Sequence, residues 1–145
     1  MPSLRPFLMF FALVMTPLVS VHAEPPIARG LRELTRAEML SRGSCGRFAV
    51  ERTQNGRLPG CVLEVRRQIA SAMLRLEPTL VGQPFVRKAL EDYVGRMGLY
   101  LKGLPRVGRE TVETWQERYR QNVAGLAEAH ENLAAEVKRF LDLSL

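Results

Sequence analysis

Residues 108–143 read GRETVETWQERYRQNVAGLAEAHENLAAEVKRFLDL, and this stretch decides the fold. Apolar side chains recur at Val112, Trp115, Tyr119, Val123, Leu126, Leu133, Val137 and Phe140, and His130 fills the one gap in the row. Spacings of three and four mark an apolar stripe on a helix. No proline interrupts the stretch, and Gly125 weakens it only slightly. At 1.5 Å per residue it spans about 50 Å. Glu110, Glu113 and Glu117 near its start and Lys138 and Arg139 near its end oppose the helix dipole favourably. In heptad terms the step from Tyr119 to Val123 is four where three is due, a stutter that lets the two halves face different neighbours. The stripe predicts the core helix of a small bundle. An intermolecular coiled coil, giving a homo-oligomer through this C-terminal helix, is the alternative.

Upstream, two further stripes precede it. Val62, Val65, Ile69, Met73 and Leu76 predict a helix over 61–76, stopped by Pro78 because the residue before proline avoids helical geometry. Pro84 suits the first turn of a third helix, whose inner face is Val86, Leu90, Tyr93, Met97 and Tyr100 or Leu101, widened by Phe85, Ala89 and Val94. Gly95 and Gly98 lie inside it and cost about 1 kcal/mol each. They are read as a point of close helix approach, with a ligand-facing groove or hinge as the alternative. Gly103, Leu104 and Pro105 turn the chain into the long helix.

Earlier still, Pro25 and Pro26 discourage structure, so 24–30 is expected to be extended. Thr35, Arg36, Ala37 and Glu38 match a capping box, and Leu34 and Met39 stand at the positions of a hydrophobic staple. A short first helix is therefore expected from Thr35, ending at Gly43. Residues 44–60 are irregular. Asn55 and Gly56 signal a tight turn, but the returning arm before Pro59 is too short for a hairpin to be expected. Short connections between four helices predict an all-α bundle with antiparallel neighbours.

The first 23 residues stand apart. One positive charge at Arg5, an apolar run from Phe7 to Leu18 and small residues before Glu24 read as a secretory signal peptide cleaved after Ala23. It is too short and wrongly flanked to span a membrane, and no later apolar run reaches spanning length. Residues 24–145 are then a single helical domain, expected in the periplasm or secreted. The two cysteines, Cys45 and Cys61, suit an oxidising compartment and are expected to form one disulfide. Closing a loop of this size is worth on the order of 3 kcal/mol in the chain-entropy model.

The chain carries 21 basic and 15 acidic residues, a net charge of +6. Arginine outnumbers lysine six to one, which GC-rich coding explains as simply as attraction to an acidic partner does. Nucleic acid is not expected, since there is no basic run or recognised binding motif.

Catalytic and cofactor chemistry has little to work with. Past the leader there is one histidine, His130. The positions three and four residues away are Leu126, Ala127, Leu133 and Ala134, so no metal pair forms on the helix. His130 reads as a buried, hydrogen-bonded polar residue on the stripe. No serine sits in a nucleophile elbow, and the disulfide consumes both thiols. No phosphate-binding glycine loop or haem attachment motif is present. No cofactor, no metal and no enzyme activity are expected. Trp115 and Tyr119 lie one turn apart beside Arg118 and Arg120, residue types that dominate binding hot spots. They form the candidate binding patch, weighed against simple core filling near Pro105. The functional expectation is an exported helical protein that binds another protein, such as an adaptor, chaperone or inhibitor of the immunity-protein type. A small-ligand or cell-wall binding module, with a groove at Gly95 and Gly98 or beside Trp115, is the alternative.

Overall fold

The computed structural model describes residues 24–106 and 110–143. The leader expected at residues 1–23 lies outside the described residues. The elements are α1 (Pro26–Leu40), a π-helical turn (Ser41–Cys45), α2 (Gly46–Val50), α3 (Leu58–Leu76), α4 (Pro84–Gly103) and α5 (Val112–Leu143). Short 3₁₀ segments join them at Arg52–Arg57, Glu77–Leu80 and Leu104–Arg106. Because α1, the π turn and α2 run on without a break, the described residues form four helical rods and no strand. Among the described residues no helix is long and apolar enough to cross a membrane.

The rods pair: α1 lies along α3, and α4 along α5. α4 and α5 run antiparallel: Tyr93 meets His130, Arg96 lies against Gly125 and Tyr100 meets Tyr119. Leu126, Ala129, Leu133 and Val137 of α5 are buried, while Trp115, Tyr119, Val123 and Phe140 are half-buried. The long stripe is thus spent inside the chain, mainly on α4, whose Val86, Leu90, Tyr93, Met97, Tyr100 and Leu101 face it or the opposite pair. At 32 residues, α5 is about 48 Å long.

The first rod departs most from expectation. Pro26 does not hold the chain extended. It occupies the first turn of α1, where its missing N–H costs nothing. Ile27, Gly30, Leu34 and Ala37 form the buried face. Thr35 is therefore in mid-helix, and its Oγ1 donates back to Leu31 O at 3.0 Å instead of capping. Glu38 turns inward and is buried, while Met39, expected to staple the start, is exposed. Gly43 does not end the helix either. In the π turn the Gly46 N–H reaches back five residues to Ser41 O, and the helix continues to Val50. Asn55, with its amide oriented to donate, caps that end at Phe48 O (2.7 Å) and Glu51 O (3.1 Å). Asn55 and Gly56 lie within a 3₁₀ helix, not a hairpin turn.

Other corrections concern α3, α4 and the glycines. α3 begins three residues early, at Leu58, with Pro59 in its first turn. Phe85 does not widen the inner face of α4; it is 74% exposed. Gly95 and Gly98 do not mark close helix approach, since a Cβ added at either would meet nothing within 4 Å. Close approach occurs instead at Gly30, where a Cβ would run into the Leu76 side chain and force α1 away from α3.

Candidate functional site

The rods converge at the disulfide end. Cys45, at the end of the π turn, bonds to Cys61 in the first turns of α3, with Cα atoms 5.6 Å apart. This ties the first rod to α3 across the Arg52–Arg57 segment. Beside it an open groove of about 780 Å³ runs between α2, the start of α3 and the Leu104–Arg106 turn. Ala49, Leu58, Val62, Leu104 and Pro105 line it, with Leu63, half exposed, at the lip. Arg66 and Asn55 supply its polar edge. Two more arginines, Arg47 and Arg57, lie 5.8 and 5.9 Å from the Phe48 ring centroid. Residues 41–67 hold six arginines and two glutamates, a net of +4 out of +6 for the whole chain. The positive charge is therefore concentrated around this end. That clustering was readable from the sequence; in the fold Arg66 lines the groove, and Arg42 and Arg47 line a separate cavity.

The structure brings Trp115, Arg118 and Tyr119 together around a small crevice. Trp115 stacks on Tyr119 with centroids 5.2 Å apart, and Tyr119 leans on Tyr100 at 5.9 Å. Both half-buried rings thus serve the packing of α5 on α4 and still reach the surface. Arg118 donates to Gly103 O at 3.1 Å and to Glu110 Oε2 at 2.7 Å, clasping the turn that leads into α5. Arg120 is exposed and 3.5 Å from Glu117. Arg42 and Arg47 reach the same two rings from the π turn and α2. With Gly43, Gly46 and Leu104 they bound a second cavity of about 340 Å³.

His130 lies on the inner side of α5 as expected, but it is not buried: 40% of its side chain reaches solvent. The buried polar side chain is Glu38, opposite it on α1. Tyr93 Oη donates to Glu38 Oε2 at 2.7 Å, and His130 Nδ1 lies 3.1 Å from the same oxygen. A carboxylate only accepts, so this contact requires the proton on Nδ1. The histidine ring meets the Tyr93 ring edge-on at 5.3 Å. Three rods are joined at one carboxylate. Burial first, then the hydrogen bond to Glu38, pushes the Tyr93 phenol well above its usual pKa. Burial first, then the neighbouring Tyr119, does the same for Tyr100.

Among the described residues no group of three His, Cys, Asp or Glu side chains is placed to hold a metal ion. Glu38 Oε2 takes both Tyr93 Oη and His130 Nδ1, and Arg42 stands 3.7 Å from Oε1. The arrangement offers surfaces for binding, one apolar and one aromatic. No family model, no curated protein and no solved structure matches this chain.

Proposed function

We propose that this chain is an exported protein-binding module, and that the apolar groove at its disulfide end takes an amphipathic segment of another protein. One observation carries the reading: a 780 Å³ groove, open along its length and lined by apolar side chains, lies where the chain concentrates its arginines. Among the described residues Arg66 and Arg67 have no carboxylate partner, although many other arginines of the chain do. An apolar floor with a cationic rim complements a segment with apolar anchors and acidic flanks. Each anchor fully buried there contributes about 1.5–3 kcal/mol. Export is supported by the disulfide and by the leader-like residues 1–23. No reaction is assigned to it.

The groove is large enough for a small ligand, but such sites enclose most of their ligand's surface and converge several polar groups on it. This one is open and offers Asn55 and Arg66 alone. The test is selection of displayed peptides on the purified, oxidised protein. Apolar peptides with acidic flanks are expected to be enriched and to lose binding to Leu63→Asp. Peptides enriched without acidic residues, or indifferent to Leu63→Asp, would overturn the reading. Failure of all peptides alongside binding of small apolar probes would favour a ligand carrier.

A further inference from the structure

The second cavity has no part in the protein-binding reading, and its construction is unusual. It lies where the first rod contains a π turn, a feature that interrupts regular helices and recurs at functional sites. Two glycines, Gly43 and Gly46, occupy its wall in mid-rod, where each costs about 1 kcal/mol relative to alanine. A Cβ at Gly43 would project into open space, and one at Gly46 would come 3.1 Å from Tyr100 Oη. Gly46 thereby lets the first rod close over the buried Tyr100 side chain. The opposite wall is the Trp115–Tyr119 stack, and the rim carries Arg42 and Arg47.

We propose that this cavity binds a small carboxylate that bears one six-membered ring. The carboxylate pairs with Arg47 and with Arg42, whose contact with Glu38 is 3.7 Å, and the ring lies against the Trp115–Tyr119 stack. The donor-rich polar set selects an acceptor-rich, anionic ligand. Glu38 lies outside the wall and already meets Tyr93, His130 and Arg42, which leaves Glu51 as the acidic group of the wall. At about 340 Å³ the cavity lies at the small end of ligand sites and suits a single ring with its substituents. Either a sugar acid or an aromatic acid offers this chemistry.

Trp115 is the only tryptophan of the chain, so its fluorescence reports on the cavity directly. The oxidised protein is titrated with glucuronate and glucose as one pair, and with phenylacetate and phenylacetamide as the other. A saturable change with one acid, at least tenfold weaker with its neutral partner, is expected and identifies the source. Arg47→Met should weaken that binding at least tenfold. Gly43→Leu should block it by filling the cavity. Arg120→Met, outside the cavity, should leave it unchanged. Circular dichroism confirms that each variant is folded, and Arg47→Met, altering an exposed side chain, keeps the test valid if Gly43→Leu is not. No response to either acid, equal response to the neutral partners, or unchanged binding in folded Arg47→Met and Gly43→Leu would overturn the proposal.

Discussion

Replacing Glu38 by Gln and Tyr93 by Phe, singly and together, measures the junction that joins three rods. Tyr93 is almost wholly buried and donates to a carboxylate whose side chain is 9% exposed. Hydrogen bonds to charged groups contribute about 1.5–3 kcal/mol. Tyr93→Phe removes the donor but leaves Glu38 with His130 at 3.1 Å and Arg42 at 3.7 Å, so a loss of about 1–2 kcal/mol is expected. Glu38→Gln keeps an acceptor for the phenol but discards the charge, and a loss of about 2–3 kcal/mol is expected. Since both changes act on one charge-assisted hydrogen bond, the double variant should cost less than the sum by about 1–2 kcal/mol. Urea unfolding followed by circular dichroism gives all three values. The oxidised single domain is expected to unfold in one step, which the coincidence of circular dichroism with Trp115 fluorescence checks. Strict additivity, or single losses below about 0.5 kcal/mol, would mean that Glu38 faces solvent and that the three rods do not meet there.

Further predictions rest on separate features. Reducing the Cys45–Cys61 bond should lower stability by about 3 kcal/mol, read as a shifted urea midpoint with a larger m-value from a less restrained unfolded chain. Gly30→Ala should destabilise by about 1–3 kcal/mol because the new Cβ meets Leu76. Gly95→Ala, into open space on a helix, should stabilise by up to about 1 kcal/mol. Tyr93 and Tyr100 hold their protons above the usual tyrosine range. Stability from them is therefore whole below about pH 10 and falls as pH rises, because the unfolded chain sheds protons that the native state keeps. In alkaline titration at 295 nm their ionisation should coincide with loss of helical circular dichroism, and reversible ionisation of both in the folded protein would contradict this.

Much of this was legible in the sequence wherever a periodic signal was long. The α5 stripe, the inner faces of α3 and α4, and the disulfide between the two cysteines all follow from spacing and composition. The first rod was misread because short local motifs were given priority over periodicity. Thr35 and Glu38 fit a capping box, but Ile27, Gly30, Leu34, Ala37 and Ser41 already continue a helical row on both sides of it, and burial of that row decides the conformation. Pro26 fits the rule applied correctly at Pro84. Gly43 as a stop failed because a π turn admits a glycine without ending the helix. The candidate patch had its aromatic half in the right place. Of its arginines, Arg118 lies with the rings and Arg120 turns to Glu117, while Arg42 and Arg47 reach the same rings from another rod, which sequence proximity does not reveal. Gly95 and Gly98 show the same limit: a glycine in a helix records a cost, and only the neighbouring rods reveal whether anything approaches.

Position-specific crosslinking tests the central claim, that the disulfide-end groove holds a protein segment. A photoreactive phenylalanine is placed at Leu63 on the lip of the groove, or at the exposed Leu74 or Phe85 away from it, in cells that export the protein. Position 63 should give one discrete adduct, whose crosslinked peptide combines apolar anchors with acidic flanks, and positions 74 and 85 should not give that adduct. No adduct from position 63, the same adducts from all three positions, or a crosslinked peptide without acidic residues would contradict the account.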